Sequence, residues 1–180
     1  MFLEVIVMML NIDSLSNKSR DHIDFSIVDE NSELDFGQGE LRLTSPIRLE
    51  GRVERTGRNF LLKMKVSFDY IDNCARCLVD VESALDYDVV AYLMRDEYDE
   101  GEYEDVDVFS IDSSEVDLLD IVNATLTSNL PPKVICSEDC KGICSGCGVN
   151  LNLHECECPV DDTEDDDIDP RFAKLKELLK

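Results

Sequence analysis

Between residues 47 and 91 the chain alternates apolar and polar positions with little interruption. Ile47, Leu49, Gly51 and Val53 alternate with mostly charged residues, and Thr56-Gly57-Arg58-Asn59 then turns the chain. Leu62, Met64, Val66, Phe68 and Tyr70 alternate against Lys63, Lys65, Ser67 and Asp69. Val79, Val81, Ser83, Leu85, Tyr87, Val89 and Ala91 continue the period. A period of two with polar partners is the mark of a half-buried antiparallel strand. The spacing therefore predicts a three-strand meander with Cys74-Ala-Arg-Cys77 at its second turn.

The flanks are read from the same patterns. Met1 to Leu10 is apolar but carries Glu4 and lacks a basic leader. Its run falls short of the roughly 20 residues of a transmembrane helix, and no small-residue cleavage site follows. It reads as a first strand, with Met9 as an alternative start of translation. Ile23-Asp-Phe25-Ser-Ile27 reads as another strand, and Gly37 and Gly39 punctuate the loop after it. Residues 95–107 form an acidic loop, and Val106 to Ile111 a short strand. Ser113 or Ser114 is expected to cap a helix with Glu115 and Asp117 in its first turn. Val116, Leu119, Ile121, Val122, Leu126 and Leu130 give it an apolar face, and Pro131-Pro132 ends it. Asp161 to Asp169 reads as an acidic linker, and Pro170 to Lys180 as a short helix with lysines at its end. No internal repeat is legible. The fold class expected is α+β, an antiparallel meander sheet with a packed helix and a C-terminal cysteine-rich zinc knuckle. The expected division is residues 1–140 as the core with Cys74 and Cys77, 141–160 as the knuckle, and 161–180 as linker and helix.

Cysteine changes the picture most. The chain has 8, and all but Cys74 and Cys77 fall within residues 136–158. Cys-x-x-Cys and Cys-x-x-x-Cys spacings let two thiolates on one tight turn reach the same tetrahedral metal. Two closed four-thiolate zinc sites would use every cysteine. One division joins Cys74 and Cys77 to Cys136 and Cys140, and Cys144 and Cys147 to Cys156 and Cys158. The other places Cys136, Cys140, Cys144 and Cys147 together and leaves Cys74, Cys77, Cys156 and Cys158 as a long-range set. The first is preferred, because all-cysteine zinc sites are usually built from two paired turns.

Competing chemistries find less support. The chain reads as cytoplasmic, where disulfides are rare and cysteine pairs are metal ligands or redox groups. Cys74-x-x-Cys77 as a thiol redox motif would follow a meander strand, so its thiolate gains no helix N-terminus. A catalytic zinc keeps an open position, and the chain has no His-rich motif with a general-base Glu. His22 reads as a surface residue, and His154 as a surface or outer-sphere one. Gly37-Gln-Gly39 lacks the context of a phosphate loop.

Charge narrows the partners. The formal net charge is -24, from 41 acidic and 17 basic residues. Two zinc sites of four thiolates, each net −2, would take it to about −28. Such a chain repels phosphate backbones and attracts basic proteins. Arg48, Arg52, Arg55, Arg58, Lys63 and Lys65 cluster in sequence, and the preferred reading is the solvated face of two strands. No membrane or small-molecule partner is expected.

The order of these features resembles the YceD family, the large ribosomal RNA subunit accumulation proteins of bacteria and plastids. The resemblance rests on Cys74-Ala-Arg76-Cys77, Cys136 to Cys147 with Gly142 and Gly148, Asn150-Leu151-Asn152 and Asp169-Pro170-Arg171. It runs from about residue 10 onward. It implies a role in accumulation of large-subunit (23S-type) ribosomal RNA, hence in large-subunit assembly, and no known catalytic activity. With the charge, it leads to the expectation of a non-catalytic assembly factor. Such a factor would act through a basic ribosomal protein or an assembling large-subunit particle. The alternative is a thiol enzyme or redox sensor using Cys74 and Cys77.

Overall fold

The structure is a computed structural model that describes residues 8–30, 34, 41–95 and 106–158. It is a mixed α/β fold with a mostly antiparallel sheet and few helices. In chain order the elements are β1 (Met9–Asn11), α1 (Asp13–Ser16), β2 (His22–Asp29), β3 (Arg42–Leu43), β4 (Ile47–Thr56) and β5 (Asn59–Asn73). They continue with β6 (Asp80–Met94), β7 (Asp107–Ser110), β8 (Glu115–Asp117) and α2 (Leu118–Asn129). The expected acidic linker and C-terminal helix, most of the 95–107 loop, Gly37 and Gly39 lie outside the described residues.

The alternating segment forms the meander β4-β5-β6, joined by Gly57-Arg58 and by the Cys74 turn. The sheet path is β2-β4-β5-β6-β7, with β3 against β5. All pairs are antiparallel except β6 with β7. Register puts the apolar set on one face: Leu49 opposes Val66, Val53 opposes Leu62, and Leu62 opposes Ala91. That face is buried with Ile12 and Leu15 from the N-terminal segment and with Leu118, Ile121, Val122 and Leu126 of α2, in one cluster. Most of the cluster is aliphatic, and Phe60, Phe68, Tyr70 and Tyr87 add aromatic rings on β5 and β6.

Gly51 sits on this face opposite Phe25 of β2 and Met64 of β5. A Cβ there would run into the Lys63 carbonyl oxygen and stand 2.7 Å from the Met64 Cβ. Neither is the free end of a flexible chain, so the strands themselves would have to shift. Gly51→Ala is expected to destabilise the fold by about 2 kcal/mol or more, read as a lower midpoint in urea at unchanged slope.

The outer face carries Arg48, Arg52, Lys63 and Lys65 of the basic cluster: Arg52 meets Asp24 and Glu54, Lys63 meets Glu54, and Lys65 meets Asp86 at 3.0 Å. Arg55 departs from that expectation: it has the register of the core face, opposite Phe60, is half-buried and meets Asp21. The hydrogen bond from Arg52 holds the Asp24 carboxyl below its ordinary value.

Of the expected first strand, residues 1–7 lie outside the described residues, and Met9 and Leu10 belong to β1. One sequence expectation is corrected. Glu115 and Asp117 are not a helical first turn capped by Ser113 or Ser114. They belong to β8, where Asn11 opposes Glu115 and Met9 opposes Asp117. The Ser113 hydroxyl instead accepts from the Glu115 N–H in a local turn (3.1 Å). The helix starts at Leu118, and the Asp117 carboxylate caps it by accepting from the Leu119 N–H (2.9 Å). The reason is tertiary: β1 offers ladder partners that a helix propensity of tenths of a kcal/mol per residue does not outweigh.

Candidate metal centres

The chain builds the same turn twice. At the first, the Cys74 N–H donates to the Val79 carbonyl (2.8 Å) and the Leu78 N–H to the Cys74 carbonyl (2.9 Å). At the second, the Cys144 N–H donates to Val149 (2.8 Å) and the Gly148 N–H to Cys144 (2.9 Å). In each the N–H two residues on donates to the leading sulfur, Arg76 to Cys74 Sγ at 3.5 Å and Gly146 to Cys144 Sγ at 3.4 Å. The turn requires a left-handed residue after its second cysteine. Gly148 supplies it with φ 73, and Leu78 adopts φ 60 in the equivalent place. For a leucine that conformation costs roughly 1–2 kcal/mol.

Each turn meets a second pair of cysteines. Cys74, Cys77, Cys136 and Cys140 form one group, and Cys144, Cys147, Cys156 and Cys158 the other, with all ligand atoms of a group within 4.8 Å of one another. Sulfur separations are 3.9 Å for Cys74–Cys140 and 3.5 Å for Cys77–Cys136. They are 3.4 Å for Cys147–Cys156 and 3.3 Å for Cys144–Cys156. Zinc–sulfur bonds of about 2.3 Å in a tetrahedron put sulfurs about 3.8 Å apart. Both groups could therefore hold metal ions. The division matches the one preferred from spacing, and the Cys136/140/144/147 alternative is not the arrangement found. His154 is exposed and stands in neither group.

The thiols press on one another. Burial pushes the Cys74 thiol up, but the N–H groups of Arg76, Cys136 and Cys77 outweigh it and bring its pKa to about 6. The Cys147 N–H, the Cys156 thiol and the Gly146 N–H lower Cys144 to about 6. Neighbouring sulfurs raise Cys136 and Cys158 to about 12, Cys140 and Cys77 acting on the first and Cys156 and Cys147 on the second. Cys140 is lowered and Cys77 raised as well, and in the second group Cys156 is raised, so each group holds at least one readily ionised sulfur beside two that resist ionisation. A divalent cation relieves that conflict, since metal binding displaces the thiol protons.

The groups differ in depth. Cys74, Cys77 and Cys140 are buried, with Val81 and Ile135 packed against them, while Cys136 is exposed. In the second group Cys147 is exposed and the others are half-buried. Residues that carry no ligand atom join the two. The Arg76 guanidinium donates to the carbonyls of Glu138 (3.0 Å) and Cys140 (3.1 Å), and the Arg76 carbonyl accepts from the Ile143 N–H (3.0 Å). Asn152 donates to Cys140 Sγ at 3.3 Å and accepts from the Lys141 N–H at 2.8 Å. Asn152 reaches from the second group to a ligand of the first. Spacing does not single it out, although Asn150-Leu151-Asn152 stands out as a motif.

Gly142 lies at this junction with φ +76, and a Cβ there would stand 3.0 Å from the Arg76 carbonyl oxygen. Gly142→Ala is expected to cost about 1–2 kcal/mol in left-handed strain and to loosen the Ile143–Arg76 contact. Faster amide exchange at Ile143 would show it.

Fold and sites together define a sheet protein with two four-cysteine groups fit to hold metal. The chain belongs to the YceD family: a family model described as "Large ribosomal RNA subunit accumulation protein YceD" matches residues 62–179. The chain is 25% identical over 167 residues to the uncharacterized protein YlbN of Bacillus subtilis, covering 92% of this chain and 93% of that protein. It is 28% identical over 137 residues to the uncharacterized protein Rv2926c of Mycobacterium tuberculosis, covering 73% of this chain and 61% of that relative. No solved structure matches it.

Proposed function

We propose that this chain is a non-catalytic ribosome biogenesis factor needed for accumulation of large-subunit (23S-type) ribosomal RNA. It acts in the cytoplasm, on assembling large subunits, through basic protein partners. Both four-cysteine groups hold structural zinc, and residues 141–160 form a zinc-dependent unit apart from the core. The observation that carries this reading is the family match over residues 62–179, which spans every cysteine. The net charge of -24 supports a basic partner and disfavours direct grip on RNA. Among the described residues no helix is long and apolar enough to cross a membrane.

Depletion tests the role. Large-subunit RNA is expected to fall relative to small-subunit RNA, with precursor particles accumulating. Unchanged RNA and particle profiles would reject it. Elemental analysis of the reduced protein is expected to give two zinc ions per chain.

One other reading is a thiol enzyme or redox sensor using Cys74 and Cys77, favoured by the N–H groups of Arg76, Cys136 and Cys77 that lower the Cys74 thiol. Alkylation of the native, metal-loaded chain separates the two. Structural centres protect every cysteine until a chelator is added. Modification of Cys74 or Cys77 before chelation would favour the redox reading.

A further inference from the structure

A cleft of about 510 Å³ opens where β1, β7, β8 and the start of α2 meet. Met9, Phe109 and Val116 supply apolar lining, and Asp112, Glu115 and Asp120 stand around them. Asp117 also lines it, but its carboxylate is engaged by the Leu119 N–H. No Lys, Arg or His is among the described lining residues. On the outer sheet face, by contrast, Asp24 and Asp86 are matched by Arg52 and Lys65. Met9 is 41% exposed, which leaves an apolar side chain open to solvent beside three carboxylates. β7 ends the sheet path, and its Phe109 and Ser110 face this space. The volume is in the range of built binding clefts, and it can take several side chains.

We propose that this cleft docks a basic, extended segment of a protein partner. Lysine or arginine side chains meet Asp112, Glu115 and Asp120, and an apolar side chain between them settles on Met9 and Phe109. The choice of a ribosome-associated basic protein rests on the function proposed above, whereas the chemistry of the segment rests on the cleft. Nucleic acid is a poor occupant, because its phosphates would face three carboxylates with no Lys, Arg or His among the described lining residues.

The test uses the full metal-loaded chain and a fluorescent eight-residue peptide of alternating lysine and leucine. Binding is read by anisotropy. The variant is Asp112→Lys with Glu115→Lys and Asp120→Lys. The control is Glu50→Lys with Glu82→Lys and Asp88→Lys, three exposed carboxylates of the sheet strands that change net charge equally. The cleft variant is expected to bind about tenfold or more weakly, and the control to lose no more than about threefold. Equal losses would mean that net charge alone attracts the peptide, and no loss would mean that it binds elsewhere; either overturns the cleft. If the triple reversal fails to fold, Asp112→Asn with Glu115→Gln and Asp120→Asn serves with the same outcomes. Wild-type binding to large-subunit precursors that both variants retain alike would also overturn the cleft and spare the function, which depletion tests separately.

Discussion

Cys77→Ser is expected to remove one metal from each chain and to release residues 131–140 from the sheet. Cys77 Sγ lies 3.5 Å from Cys136 Sγ, so it is one of the points where the β5–β6 turn grips the segment after α2. The Arg76 guanidinium adds bonds to the Glu138 (3.0 Å) and Cys140 (3.1 Å) carbonyls, and its own carbonyl accepts from the Ile143 N–H (3.0 Å). The Ala75 N–H donates to the Val134 carbonyl (2.8 Å), the Cys136 N–H to Cys74 Sγ (3.4 Å), and Ile135 packs beside the sulfurs. Structural zinc sites contribute on the order of 10 kcal/mol to folding of small domains, far more than these bonds supply. A loss of about 3 kcal/mol or more is expected, a fall in Tm of roughly 6–12 °C. Limited proteolysis should then cut between Pro131 and Cys144 while β4 to β6 resist. Cys156→Ser should also cost one metal, yet leave cleavage confined to residues beyond about 142. Its four ligands lie within the 144–158 stretch and none comes from the sheet. Equal damage from both substitutions would reject two separable centres.

A chelator is expected to empty the two centres in sequence, the second first. Cys74, Cys77 and Cys140 are buried under Val81 and Ile135, whereas Cys147 is exposed and its partners half-buried. Cys136 is exposed, so a competing ligand can approach either site from one side, but at the first the three buried thiolates come away only after local opening. The bond from Asn152 to Cys140 Sγ holds the first centre from outside, and contacts of this type are worth about 10–100-fold in metal affinity. Release should be biphasic, with rates separated by about tenfold or more. Cys156→Ser should abolish the fast phase and leave a slow one, itself faster than in the wild type because disorder beyond about residue 142 removes the Asn152 bond to Cys140 Sγ. A single phase in the wild type, or loss of the slow phase in that variant, would reject the ranking.

Much of this was legible in the chain itself. The alternation from Ile47 to Ala91 determined three strands and which side chains face the core, because a one-residue slip would turn every apolar side chain to water. The cysteine spacing determined that adjacent pairs share a turn, and favoured the division that the structure displays. The charge balance indicated that Arg52, Lys63 and Lys65 stand on a solvated face among carboxylates.

Other features depend on contacts that no local pattern records. Cys77 and Cys136 stand 59 residues apart in sequence, and only the return of the chain through β6 and α2 brings their sulfurs together. Glu115 and Asp117 carry helix-start chemistry, but β1 is beside them and the ladder prevails. The repeated turn at Cys74 and Cys144 is written mainly in backbone hydrogen bonds, so Leu78 and Gly148 hide an equivalence that their shared left-handed conformation reveals. The cleft brings Met9 against the stretch from Phe109 to Ile121, far away in sequence. Sequence alone determined the periods, the cysteine pairs and the net charge, because these are local properties or sums. Tertiary structure decided which cysteines stand together, where the helix begins and where, among the described residues, carboxylates gather without a cation, because each depends on what folding places alongside.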